Sequence, residues 1–68
     1  MTIHVIVNGQ RRGVPAGTTV GELVAMVTQL ATGVAAAVNG EIVPRRSWPG
    51  TLVYDGDQVE VVTAVQGG

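Results

Sequence analysis

Two Asn-Gly pairs, Asn8-Gly9 and Asn39-Gly40, constrain the fold more than any other feature of these 68 residues. A two-residue type I′ turn needs positive φ at both central positions, and Asn-Gly supplies this at little steric cost. Each pair therefore predicts a hairpin. The first joins "TIHVIVN" to "QRRGV", and the second joins "VAAAV" to "EIVP". In the first stretch Ile3, Val5 and Val7 alternate with His4 and Ile6, the period of a strand with one buried face. Arg11 and Arg12 in the return strand suit a sheet edge, where charge discourages pairing with another molecule. Pro15 to Gly17 breaks that strand.

Between the hairpins, "TVGELVAMVTQLATG" predicts one helix. Thr19 caps it, and Glu22, three residues on, completes a capping box. Val20, Leu23, Val24, Val27 and Leu30 form a single apolar stripe. Gly33 is placed to stop the helix. After the second hairpin, "RRSWPG" reads as irregular chain or one helical turn. "TLVYDGDQVEVVTAV" reads as a short strand, a turn at Asp55 to Asp57, and a long last strand from Gln58 to Val65. The order is ββαβββ in one domain over residues 1–68, with a flexible tail at 65–68. One helix covers only one face of a sheet, so the expected class is α+β, with a mixed sheet of four to five strands. The first and last strands are the most apolar and are expected at its centre.

A chain this short has a core that stabilises by only a few kcal/mol. No cysteine is present to add a disulfide or a thiolate metal site. The core must be aliphatic, because 46% of residues are hydrophobic and none is Phe. The net charge of −1 argues against phosphate neutralisation, so nucleic acid is not an expected partner. No apolar run reaches membrane-spanning length, so neither is a membrane. "MTIHVIVNGQ" lacks the parts of a signal peptide, which implies a cytoplasmic protein. His4 has no placed catalytic partner. "DGDQV" lacks the further oxygen ligands of a calcium loop, and "GVPAGTTVG" lacks the Gly-Lys-Ser/Thr end of a phosphate loop. No catalytic residue, metal or bound cofactor is expected.

The sheet face that the helix leaves uncovered carries Ile6 on the first strand and Val62 and Ala64 on the last. Adjacent central strands would expose the three together. One reading is a loosely shielded small sheet. The other is an apolar patch that binds a partner, with Arg45 and Arg46 at its rim. The chain then stops on Gly67-Gly68, soon after the expected central strand. Two extended residues add about 7 Å of reach, and without side chains they can pass down a narrow channel. The Gly68 carboxylate is unhindered, but it is a poor electrophile until a partner activates it.

The element order and the Gly-Gly end resemble the ubiquitin-like β-grasp sulfur carriers. Within that group, "VNGEIVPRRSWPGTLVYDGDQVEVVTAVQGG" is similar to the ThiS-type carriers of thiamin (thiazole) biosynthesis. The shared features are "VNG", "IVPR" with Trp48 three residues after Arg45, "DGDQVEV", and a short run into Gly-Gly. The likeness covers essentially the whole chain and is densest from Val38 to Gly68. Gln66 departs from the small or aliphatic residue that often precedes the glycines. The resemblance implies a carrier acted on by partner enzymes. An E1-like adenylating enzyme would use ATP to adenylate Gly68. A cysteine desulfurase or other persulfide donor would supply sulfur for a thiocarboxylate, and thiazole synthase would take that sulfur. Gln66 and Gly67 would form the tail that delivers Gly68. The lack of cysteine agrees, since a carrier without a thiol has only its C-terminus to hold sulfur. Carriers serving molybdopterin, cysteine synthesis or tRNA thiolation share the fold and tail. A β-grasp interaction module with incidental glycines is the alternative from another class.

Overall fold

The computed structural model describes residues 1–29 and 32–63. Strands β1 (Thr2–Val7) and β2 (Gln10–Pro15) form the first hairpin, followed by helix α1 (Val20–Val27). Strands β3 (Val34–Val38) and β4 (Glu41–Val43) form the second hairpin. A 3₁₀ helix over Arg45–Gly50 leads round to β5 (Gln58–Thr63). One sheet of five strands has the order β2-β1-β5-β3-β4. β1 and β5 pair in parallel and the other neighbours antiparallel, so the sheet is mixed. The first and last strands lie inside it, with β5 in the middle and β2, the arginine strand, at one edge, although β3, VAAAV, is the most apolar of the five.

Both Asn-Gly turns form. The φ angles are 50° at Asn8, 81° at Gly9, 51° at Asn39 and 84° at Gly40, the left-handed pairs that a type I′ turn requires. The capping box is also complete. Thr19 Oγ1 accepts from the Glu22 amide at 3.1 Å, and Glu22 Oε1 accepts from the Thr19 amide at 2.9 Å. Val20, Leu23 and Val24 are buried against the sheet, with Val27 at the margin.

The helix is shorter than its sequence predicts. It ends at Val27, and Thr28 is already extended, with φ −149° and ψ 149°. Gly33 is left-handed at φ 71°, but it leads into β3 and does not close the helix. The β-branched pair Val27-Thr28 has little helix propensity. Leu30 lies outside the described residues.

The expected strand over "TLVY" does not form either. Its backbone is taken by the loop before α1: the Val20 amide donates to the Thr51 carbonyl at 2.8 Å, and the Val53 amide to the Thr18 carbonyl at 2.9 Å. Among the described residues only an isolated bridge, Leu52 to Thr19, results.

The core joins Val5, Val7 and Val14 to Leu23, Ala36, Val59 and Val61. It also takes Trp48, which is 7% exposed and which the sequence leaves in irregular chain. The 3₁₀ helix turns the indole inward, where Nε1 donates to the Val43 carbonyl at 2.9 Å. Trp48 then lies against Gly21, where an added Cβ would sit 3.5 Å from the Trp48 Cβ. Among the described residues no helix is long and apolar enough to cross a membrane.

Candidate functional site

The expected working end follows β5, so what holds β5 positions the site. Ala64, Gln66, Gly67 and Gly68 lie outside the described residues, as does Val65, where the last strand is expected to end; Thr63 is the last residue described. On one side β5 pairs with β3 up to Val34 opposite Thr63. On the other side it pairs with β1 only at Ile6–Gln58 and Val7–Val59. Asn8 extends that side. Its backbone amide donates to the Val59 carbonyl at 2.9 Å. Its side-chain Nδ2 donates to the Val61 carbonyl at 3.0 Å, while Oδ1 accepts from the Val61 amide at 2.9 Å. The carboxamide thus does the work of a peptide group in a ladder.

Asn39 makes a similar clamp at the start of β5. Its Oδ1 accepts from the Gln58 amide at 3.0 Å, and its Nδ2 donates to Asp57 Oδ1 at 3.0 Å. Sequence reasoning assigned both asparagines to turns and missed these bonds, which no local pattern signals. The acidic turn is held in the same way. Asp57 Oδ2 accepts from the Tyr54 amide and Asp55 Oδ1 from the His4 amide, both at 2.8 Å. These carboxylates serve backbone donors, as turn residues do.

The strand faces fall as alternation predicts: Val59 and Val61 are buried, Glu60 and Val62 exposed. The extent of the apolar patch does not. Ile6 stands opposite Gln58, four residues before Val62 on β5. That is about 13 Å along a strand, and β1 ends before reaching the level of Val62. Ile6 therefore does not join Val62 in one patch. The parallel register is offset, and alternation within a single strand cannot report an offset between two. The neighbours of Val62 come from β3 and β4 instead. Val62 faces Ala35, and Ala37 lies between Glu60 and Ile42. Val62 is 57% exposed and Ile42 77%. The small alanines make a floor between them, giving a shallow hollow of about 160 Å³ with Glu60 at its side. Arg45 and Arg46 open the 3₁₀ helix that follows β4 after Pro44, and both are exposed. The Arg45 guanidinium carbon lies 5.1 Å from the centre of the Trp48 ring. Among the described residues no group of three or more His, Asp or Glu side chains could hold a metal.

The sequence profile of the ThiS family matches residues 5–68, a span that includes the second half of β1, all of β2 to β5 and the Gly-Gly end. The chain belongs to the ThiS family. The sulfur carrier protein ThiS of Escherichia coli K12 is 38% identical over 66 residues, covering 97% of this chain and all of that one. The crystal structure of the thiamine biosynthesis protein ThiS from Geobacter metallireducens matches with a TM-score of 0.79 at 33% identity. That match covers 97% of this chain and 100% of the other, so the two share the β-grasp fold of the ThiS family. A thiazole synthase of Paramagnetospirillum magneticum is 36% identical over 66 residues. Those residues are 97% of this chain and 20% of that one, so a ThiS-like stretch occupies one fifth of the synthase.

Proposed function

We propose that this chain is a sulfur carrier for thiamin biosynthesis, acting in the cytoplasm and acted on by partner enzymes without being one itself. The observation that carries the reading is the end-to-end match to the ThiS sulfur carrier of Escherichia coli, within a family match that runs through Gly68. An E1-like enzyme would adenylate the Gly68 carboxylate with ATP. Sulfur from a cysteine desulfurase or another persulfide donor would then give the thiocarboxylate, and thiazole synthase would accept the sulfur. The likeness to part of a thiazole synthase supports this pathway over molybdopterin, cysteine or tRNA thiolation.

Reach supports a role for the open face. From Thr63 to Gly68 is five residues, which span about 17 Å at most. An active site that receives Gly68 must come that close to Thr63, and its surface then covers the neighbourhood of Val62. In this reading Gln66 and Gly67 thread the partner's channel. Val62, Ala35, Ala37 and Ile42 meet its surface, with Ala64 next along the chain and Arg45 and Arg46 in the 3₁₀ helix that follows β4.

The test is mass spectrometry after incubation with ATP, the adenylating enzyme, a cysteine desulfurase and cysteine. One oxygen should be replaced by sulfur, localised to the last peptide. Sulfur elsewhere in the chain, or none, overturns the reading.

A further inference from the structure

We infer that Asn8 is a positioning residue for the C-terminal reaction: its carboxamide, bonded to Val61, sets the direction in which β5 delivers the tail. The inference rests on the sulfur-carrier reading.

The central strand is held unequally along its length. Near Gln58 it has β1 on one side and β3 on the other. Beyond Val59, β1 has turned off into the hairpin, and β3 alone continues, as far as Thr63. The two bonds from the Asn8 side chain to Val61 are what secures β5 on the β1 side there. Val61 is two residues short of Thr63, and a strand held by one neighbour can swing about it. Val61 lies seven residues before Gly68, and the direction of β5 there sets where the chain leaves the sheet. Only asparagine meets the local demands together. It tolerates the left-handed backbone at φ 50°, and it offers a donor and an acceptor to one peptide unit. Aspartate would set an acceptor against the Val61 carbonyl.

Asn39 is a built-in control. It has the same dipeptide, the same left-handed turn and a comparable clamp, but on Gln58, five residues before Thr63. A purely structural role predicts the same consequences for both clamps. A positioning role predicts different ones.

The experiment compares Asn8→Gly with Asn39→Gly. Glycine accepts positive φ freely, so each turn survives and only the carboxamide is lost. Melting temperature and backbone amide exchange are measured on the free proteins. Pyrophosphate release by an E1-like adenylating enzyme with ATP is then followed as carrier concentration varies. Both variants should lose similar stability. Asn8→Gly should speed exchange at Val61 and the β5 amides after it. It should also lower kcat by about tenfold, on the scale of a small misplacement of a reacting group, and leave KM nearly unchanged, because the open face is untouched. Asn39→Gly should keep the wild-type kcat. Equal kcat for the two variants, or a loss confined to KM, overturns the inference alone. A wild-type chain that is not adenylated overturns the carrier reading, and this inference with it.

Discussion

Val62 and Ala35 face each other across β5 and β3, on the side of the sheet away from α1, and both are exposed. Neither side chain belongs to the core, so substitution at Val62 tests the open face without disturbing the fold. Val62→Asp should leave the melting temperature nearly unchanged. In a desolvated interface the new carboxylate would be unpaired and cost about 2 kcal/mol, or roughly thirtyfold in affinity. Adenylation should slow through KM, and more enzyme should restore it. Unfolding of the variant would place Val62 in the core.

The offset register makes a second expectation. Ile42→Asp should weaken adenylation as Val62→Asp does, since both side chains border the same hollow. Ile6→Thr should not, because Ile6 is level with Gln58. Titrating the adenylating enzyme against the three variants separates the outcomes. A KM effect for Ile6→Thr as large as that for Val62→Asp would mean that the contact surface extends across β1.

Removal of Gly67 and Gly68 should barely alter thermal stability, because among the described residues a complete core is built by position 61 and residues at a chain end carry few contacts. The same deletion should abolish thiocarboxylate formation. Calorimetry and intact mass on one sample decide this. A large fall in melting temperature would assign the glycines a structural role.

Gly21 and Trp48 offer a test of packing. A Cβ at Gly21 would meet Trp48 at 3.5 Å, an ordinary contact. Gly21→Ala should therefore stabilise the protein by about 0.5–1 kcal/mol through helix propensity, a rise of a few degrees in a domain of this size. Gly21→Leu should displace the indole, breaking its bond to Val43 and lowering the melting temperature. Tryptophan fluorescence would report the displacement.

The capping box can be measured alone. Thr19→Ala removes the acceptor for the Glu22 amide and should cost about 1 kcal/mol in urea unfolding, within the usual range for a lost N-cap. Activity at a temperature where the variant is folded should be unchanged, since Thr19 lies far along the chain from the tail.

What the sequence disclosed was what a few neighbouring residues decide. Asn-Gly sets a turn by itself, Thr19 and Glu22 set a helix start, and alternation told Val61 from Val62. What stayed hidden depended on residues that meet only after folding. Thr28 carries no stop signal, so the helix end could not be read. The offset of β1 against β5 pulled Ile6 away from Val62, although each strand was read correctly. Trp48 enters the core because a 3₁₀ helix turns it there. Of the candidate site, the outward side of β5 was legible from that strand alone. The alanine floor was not, because Ala35 and Ala37 matter only through what stands beside them. The clamp from Asn8 to Val61 joins residues 53 apart in sequence, and no window along the chain contains both.

The middle strand of the sheet is built from residues 58–63. On the ribosome, β1 and β3 must therefore wait for almost the last stretch to be made before they have anything to pair with between them. A nascent chain that stalls early leaves Val5, Val7 and Ala36 facing a gap and is open to proteolysis. Folding thereby acts as an inspection step. A body that closes already contains residues 58–63, so chains that stop before β5 do not persist as folded bodies.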